Sequence, residues 1–271
     1  MKLKFWKMSG AGNDFVCLDN RSKKLKSTKR QRERLCHRQF GIGADGLLII
    51  ETPRGKAQVD YVMRYYNADG GEAEMCGNGA RCFARYVQKI TRTRKKAISF
   101  STPAGVIRAE YFGEQVRVDL TEVEGGRLNI PVKTSQGNMT VHYADTGVPH
   151  VVVPVKDAET TDIKKLGREL RFHKEFAPRG ANVNFVQVLK KGSVRVRTYE
   201  RGVEGETLAC GTGVAACAWT CQGLYGFTSP VSLKVQGGAT LKVYFTVEDG
   251  DVKNLKLHGP ADFVYQGEID V

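Results

Sequence analysis

No C-x-x-C pair occurs in the 271 residues, and the five histidines make no H-x3-H pair. The local spacings of thioredoxin-type dithiols, zinc ribbons and helical zinc sites are therefore missing, and no metal site is expected. Apolar runs stay well short of the roughly 18 residues that span a bilayer, so no membrane partner is expected. The opening MKLKFWKMSGAGNDF reaches polar and glycine residues too soon for the apolar core of a signal peptide. Low-complexity stretches and a long linker are absent. The seven cysteines (17, 36, 76, 82, 210, 217 and 221) are odd in number, which argues against a secreted disulfide scaffold. A cytoplasmic protein is the expectation.

Acidic residues are in short supply, 29 against 42 Lys and Arg, for a net charge of +13. Such a balance raises the alternative of a basic nucleic-acid-binding protein. The excess is concentrated, however. RSKKLKSTKRQRERLCHR (21–38) carries nine basic residues and one Glu, and TRTRKK (91–96) adds four more positive charges. No aromatic residues are interleaved to stack bases, so solvated basic surfaces are the simpler reading and no specific nucleic-acid partner is expected.

The chain echoes itself at half length. YYNADGGEAEMCGNGARCFA (65–84) aligns without gaps to YERGVEGETLACGTGVAACA (199–218), an offset of 134 residues (210 less 76). Seven of the twenty positions match, among them Gly-Glu, Cys and both glycines of Cys-Gly-x-Gly. Upstream, SGAGNDFVCL (9–18) pairs with DTGVPHVVV (145–153), and GIGADGLLII (41–50) with PRGANVNFVQVL (178–189). Each half has the same order of glycine turn, strand, glycine turn, strand, then Cys-Gly-x-Gly and a helix.

Periodicity fills in the elements. VRVRT (194–198) and LKVYFTV (241–247) alternate as half-buried strands do. After Cys76, the residues Ala80, Phe83, Ala84, Val87 and Ile90 share one helical face, with Arg81, Arg85 and Lys89 elsewhere. After Cys210, GVAACAWTCQGL is small or apolar nearly all round, which predicts a helix surrounded by strands, ended by Gly223 or Gly226. The fold class is α+β: two pseudo-symmetric halves, each a mostly antiparallel sheet wrapped around a central helix, with the active site in the crevice between them. The first half is 1–119 plus 262–271 with Cys76; the second is 120–261 with Cys210.

A helix N-terminus leaves backbone N–H groups unpaired and carries partial positive charge. A cysteine placed there has its thiolate stabilised, and glycines beside it let an anion reach the N–H groups. Cys76 and Cys210 repeat in register with that glycine context, whereas the other five cysteines read as small buried residues. A carboxylate held between two such helix starts sets its α-carbon between two sulfurs. One thiolate removes the α-proton while the other thiol protonates the opposite face, which inverts a stereocentre without a cofactor. Two close acids do not both ionise readily, so one thiolate and one thiol is the resting pair. The donors that hold the carboxylate also stabilise the developing carbanion.

Seven motifs carry a resemblance over the full length: MSGAGNDFV (8–16), GIGADG (41–46), YNADGGEAEMCGNGARC (66–82), GVPH (147–150), RGANVNF (179–185), YERGVEGETLACGTG (199–213) and GPADFVYQGEI (259–269). Together they resemble the diaminopimelate epimerases. The resemblance implies cofactor-independent interconversion of LL- and meso-diaminopimelate, feeding lysine and peptidoglycan precursors, by a homodimer that closes over its substrate. Position by position, Cys76 and Cys210 match the acid–base thiols, and Gly77, Asn78, Gly211 and Thr212 match residues that hold the reacting carboxylate. Asn13, Asn67, Asn182 and Arg201 match residues that recognise the substrate, chiefly its distal amino-acid end. Glu200 and His150 match groups that orient the reacting end and tune the thiols. Many members have Asn where this chain has Val148, and some have Gln where it has Gly46. Proline racemases and hydroxyproline epimerases are the alternative within the superfamily, but they typically carry His at the place of Asn78. Phenazine-type isomerases lack the thiol pair.

Overall fold

A computed structural model describes residues 2–55 and 58–270. The chain divides into two compact units, Met1–Val118 with Gly259–Val271 and Asp119–His258.

In the first unit, β1 (Lys2–Gly10) and β2 (Asn13–Asp19) form a hairpin. Its two-residue turn holds Ala11 at φ 65° and Gly12 at φ 99°, the positive values a tight strand-to-strand turn requires, and so delivers Asn13 at the head of β2. Helix α1 (Lys29–Cys36) leads to β3 (Gly46–Glu51), parallel to β2. Thr28 and Gln31 start α1 as a reciprocal capping box. β4 (Tyr61–Asn67) and the short β5 (Glu72–Ala73) precede helix α2 (Gly77–Thr91). Next come β6 (Ala97–Thr102), β7 (Gly105–Phe112) and β8 (Gln115–Asp119).

The second unit contains β9 (Glu124–Thr134), β10 (Gly137–Asp145), β11 (Pro149–Pro154), α3 (Ile163–Arg171), β12 (Asn182–Lys190), β13 (Ser193–Glu200) and β14 (Gly205–Thr207). Helix α4 (Gly211–Tyr225), β15 (Val231–Lys234), β16 (Thr240–Glu248) and β17 (Asp251–Pro260) complete it. The last strand, β18 (Asp262–Asp270), returns to the first unit and pairs with β1.

The strand order makes the internal repeat explicit. The first unit runs β18-β1-β2-β3-β4-β6-β7-β8, and the second runs β9-β10-β11-β12-β13-β15-β16-β17. Both sequences of pairings read antiparallel, antiparallel, parallel, antiparallel, parallel, antiparallel, antiparallel. The α+β architecture of two similar sheet-and-helix units is thus the one expected, with β18 taking in the first unit the place β9 takes in the second.

Each sheet has a short helix on one face and a long one on the other. Leu35 and Cys36 of α1 pack with Phe5, Val16, Leu18, Leu47 and Ile49, while α2 lies against β1, β2, β3, β4 and β7. In the second unit, Ile163, Leu166 and Leu170 of α3 pack with Val151, Val153, Val183 and Phe185, and α4 lies against β9 to β13, β15 and β16. Strands covered on both faces read as unbroken apolar runs, hence GLLII and VVV. Each fully buried Val, Leu or Phe contributes roughly 1.5–3 kcal/mol.

Helix α4 is buried as its all-round apolar sequence predicts, and Gly226, at φ 61°, ends it; Gly223 lies inside the helix. Helix α2 departs from expectation at one position. Ala80, Phe83, Ala84 and Val87 face the core, but Arg81, assigned from periodicity to the polar side, is fully buried.

Candidate active site

Cys76 is the N-cap of α2 and Cys210 the N-cap of α4, both with extended backbone. The two helices are equal in length at 15 residues. Cysteine at an N-cap places sulfur beside the unpaired N–H groups of the first turn. At Cys76 the Gly79 N–H donates to Sγ across 3.4 Å, and the Sγ–H donates to Asn13 Oδ1 across 3.6 Å. Cys76 is half-buried.

Gly77 and Asn78 form the first turn of α2, and Asn78 is buried with its Oδ1 accepting from Arg81 Nη2 at 3.0 Å. The same guanidinium donates to Gly77 O at 3.4 Å and Pro260 O at 3.2 Å. Those carbonyl partners are why a charged side chain is stable inside, although burial still lowers its pKa to about 10. Gly10 permits this packing, because a β-carbon there would lie 2.9 Å from Asn78 O.

Asn13 is anchored at its other end. Its Nδ2 donates to Asp45 Oδ2 at 2.7 Å, and Asp45 belongs to a charged cluster that sequence reasoning missed. Arg38 lies 2.7 Å from Asp45 and 3.0 Å from Asp14, and the nearly buried Lys7 lies 2.7 Å from Asp14. Burial pushes the Asp14 carboxyl upward, but hydrogen bonds from Arg38 and Lys7 outweigh it and hold the pKa at about 2. Part of the basic segment 21–38 is thereby accounted for. Arg32 similarly donates to Gly70 O at 2.9 Å and covers the Tyr66 ring at 4.2 Å, which holds the 67–71 turn.

Asn67 ends β4 beside Gly46, its antiparallel partner, and Gly46 in turn pairs with Phe15, two residues past Asn13. The Asn67 side chain is exposed and makes no hydrogen bond among the described residues. Gly46 has a local cause: a β-carbon would lie 2.6 Å from Tyr65 Cε2 and 2.8 Å from Tyr66 O.

In the second unit, Cys210 Sγ lies 3.5 Å from Thr212 Oγ1. His150 Nε2 lies 2.9 Å from the same hydroxyl, and His150 Nδ1 lies 3.1 Å from Asn184 Nδ2. Asn184 also donates to Val151 O at 3.2 Å and accepts from Thr198 Oγ1 at 3.0 Å. Complete burial, with a smaller contribution from Arg201, lowers the His150 pKa to about 3, so the ring is neutral. Asn184 is the second residue that sequence reasoning missed. It sits two positions after Asn182 in β12, on the same face of the strand.

Asn182 is buried, donating to Pro149 O at 3.2 Å and accepting from the Arg201 N–H at 2.8 Å. It thus sets the turn that follows Glu200, the last residue of β13. The Arg201 guanidinium is half-exposed and donates to Arg179 O at 3.3 Å. Gly211 and Thr212 begin α4. Val148, in the β10–β11 turn, is half-buried and contributes its carbonyl to the Thr146 N–H at 3.2 Å. Asn13, Cys76, Gly77 and Asn78 therefore gather at the start of α2, with Asn67 nearby at the end of β4. His150, Cys210, Gly211 and Thr212 gather at the start of α4, with Asn182, Glu200 and Arg201 on the adjoining strand ends.

Among the described residues no three His, Cys, Asp or Glu side chains converge as metal ligands would, and no helix is long and apolar enough to cross a membrane.

Residues 5–130 and 142–264 match the family described as diaminopimelate epimerase. The diaminopimelate epimerase of Aquifex aeolicus (strain VF5) is 41% identical over 286 residues, covering 98% of both chains. That of Methanocella arvoryzae is 39% identical over 284 residues, covering 100% of this chain and 98% of its own. Among solved structures, a phenazine biosynthesis protein of the PhzF family from Bacillus anthracis superposes with a TM-score of 0.78 at 15% identity, covering 100% of both chains. A hydroxyproline epimerase from Agrobacterium vitis, with bound trans-4-hydroxy-L-proline, gives 0.74 at 15% identity, covering 99% of this chain and 92% of its own. At that identity the likeness is one of fold.

Proposed function

This chain belongs to the diaminopimelate epimerase family and is an isomerase, and we propose that it interconverts LL- and meso-diaminopimelate with Cys76 and Cys210 as its acid–base pair, without a cofactor. The observation that carries the reading is the matched position of the two cysteines, each capping a 15-residue helix at the same point of a repeated strand order.

In this mechanism one thiolate takes the α-proton, so that a C–H bond breaks and an S–H bond forms. The other thiol then gives its proton to the opposite face of the same carbon and becomes the thiolate. The first-turn N–H groups that follow Cys76 and Cys210 receive the substrate carboxylate, and the charge that flows onto it as the carbanion forms is stabilised there. Asn13, Asn67, Asn182 and Arg201 recognise the distal amino-acid end. Arg presents a bidentate fork to a carboxylate, and side-chain amides offer both donors and acceptors. Glu200 suits an ammonium group, and His150 acts on Cys210 through Thr212. The product serves lysine and peptidoglycan precursor synthesis.

Incubation of the purified protein with LL-diaminopimelate in D₂O, without added cofactor, tests the reading. The expected result is deuterium at one α-carbon together with inversion there. Exchange into D- or L-proline, with none into diaminopimelate, would transfer the chain to the proline racemase type of chemistry.

A further inference from the structure

Both thiols meet side chains that are themselves held in oriented hydrogen-bond networks. Asn13 Nδ2 donates to the Asp45 carboxylate at 2.7 Å, and a carboxylate only accepts. The amide cannot be turned over without setting its carbonyl oxygen against that carboxylate, so Oδ1 is held toward Cys76 Sγ at 3.6 Å. A carbonyl oxygen also only accepts, which requires the hydrogen to be on sulfur. Asp45 is fixed in turn by Arg38 at 2.7 Å, and its backbone N–H donates to Asp14 Oδ1 at 2.8 Å.

The direction is opposite at Cys210. Asn184 Nδ2 is oriented by Val151 O at 3.2 Å, an unambiguous acceptor, while its Oδ1 accepts from Thr198 at 3.0 Å. The amide therefore donates to His150 Nδ1 at 3.1 Å. That nitrogen carries no hydrogen, so the ring proton is on Nε2 and is donated to Thr212 Oγ1 at 2.9 Å. With His150 donating to its oxygen, the Thr212 hydroxyl has its own hydrogen available for Cys210 Sγ at 3.5 Å. A donor aimed at sulfur favours the thiolate.

We propose that Asp45 and Asn184 are positioning residues of the acid–base pair: by fixing the direction of the hydrogen bonds at the two sulfurs, they leave the proton on Cys76 and the thiolate on Cys210 in the ligand-free protein. The assignment rests on the two-thiol reading above. The first turnover from this state begins with Cys210 taking the α-proton and ends with Cys76 giving up its own. Cys76 is then the thiolate and Cys210 the thiol until exchange with solvent restores the resting state.

Other charges bear on the balance. Arg81 acts on Cys76 from within α2 and is itself faced by Asp262, and the Gly79 N–H reaches the same sulfur at 3.4 Å. Both favour a thiolate there. A neutral thiol nevertheless accepts from Gly79 while donating to Asn13, whereas a thiolate would face the Asn13 carbonyl oxygen across 3.6 Å. Burial pushes the Cys82 thiol up to about 12 and holds the Cys217 thiol well above its ordinary value, so both neighbouring thiols are neutral. Asp14, Lys7 and Arg38 lie behind Asp45, and Arg201 acts on His150.

The test is the pH dependence of iodoacetamide alkylation, read separately at each cysteine by peptide mass spectrometry. A midpoint, unlike a rate, does not depend on how accessible each sulfur is. In the ligand-free wild type the Cys210 midpoint is expected to lie below that of Cys76 by about one pH unit, the scale on which one direct hydrogen bond acts; equal midpoints or the reverse order overturn the assignment. In Asp45→Asn the Asn13 amide is free to turn its NH₂ toward sulfur, and the Cys76 midpoint falls. An unmoved midpoint removes Asp45 from the role. In Asn184→Asp the carboxylate accepts from His150 Nδ1, Nε2 becomes an acceptor for Thr212, and the Cys210 midpoint rises. Thr212→Val removes the last donor and is expected to shift Cys210 in the same direction should Asn184→Asp not fold; an unmoved Cys210 midpoint in a folded variant overturns the relay. None of these readings needs turnover. A protein inert toward diaminopimelate would remove the function proposed above, while the order of the midpoints would still decide this inference.

Discussion

Gly213 and Asn184 occupy one another's space: a β-carbon at position 213 would lie 2.3 Å from Asn184 Oδ1. The second glycine of Cys-Gly-Thr-Gly therefore admits the side chain that orients His150, in addition to leaving the helix start open. Gly213→Ala is expected to destabilise the protein by about 1–3 kcal/mol, as forced overpacking of a buried site does. Asn184→Ala in the same chain relieves the collision. Urea titration of the single and double variants checks this, with the double variant closer to wild type than the sum of the two singles and still impaired in turnover.

His150 links the same cluster to pH. Its pKa falls from 6.5 to about 3 in the folded protein because the ring is completely buried. The unfolded chain therefore binds the extra proton first, and folding stability declines as pH drops from 6.5 toward 3. A tenfold difference in proton affinity between the folded and unfolded states corresponds to about 1.4 kcal/mol. Urea midpoints at about pH 7 and pH 4.5, a range above the Asp14 transition, are expected to differ more in the wild type than in His150→Gln. Equal pH dependence in the two proteins would contradict the buried neutral ring.

Arg81 is the charged counterpart of that ring. It satisfies Gly77 O, Asn78 Oδ1 and Pro260 O from a fully buried position. Arg81→Met removes a charged donor from those acceptors and loosens the Asn78 side chain. Breaking a buried charged arrangement typically costs about 3–5 kcal/mol, so a large fall in the urea midpoint is expected, with turnover lost even where the fold persists. Arg81→Lys supplies a point charge in place of a planar fork and restores only part of either.

Much of this arrangement was legible in the sequence, and the unread part has a common cause. The Cys-Gly-x-Gly echo located both helix starts, and the apolar ring of residues after Cys210 placed α4 inside its unit. Those signals are local, in spacing and periodicity. Arg81, Lys7 and Asn184 are polar residues whose roles depend on partners distant in the chain: Pro260 for Arg81, Gly43 for Lys7, and His150 for Asn184. Helical periodicity assigns an arginine to solvent by default and contains no record of a carbonyl arriving from a remote strand. Asn184 did leave a sign, since N-V-N sets two amides on one face at the start of a strand that continues with the apolar Phe185 and Val186. The basic run 21–38 was legible only as charge, whereas Arg32 and Arg38 in it hold the turn after Asn67 and the carboxylate behind Asn13.

Gly46 and Tyr65 make a further pair. Because the Tyr65 ring lies where a side chain at position 46 would start, Gly46→Gln alone is expected to destabilise the first unit by about 1–3 kcal/mol. Tyr65→Ala with Gly46→Gln is expected to recover only part of that loss, measured by thermal unfolding, because the Tyr66 carbonyl still lies 2.8 Å from the new β-carbon. Partial recovery would make this glycine and tyrosine a coupled pair.

The most direct measurement of the central claim is inversion of LL-diaminopimelate by Cys76→Ala and Cys210→Ala, each shown folded by circular dichroism and thermal unfolding. The two-thiol account predicts that neither variant interconverts the isomers, because each lacks one of the two proton carriers. Inversion at a substantial fraction of the wild-type rate in either folded variant would contradict it.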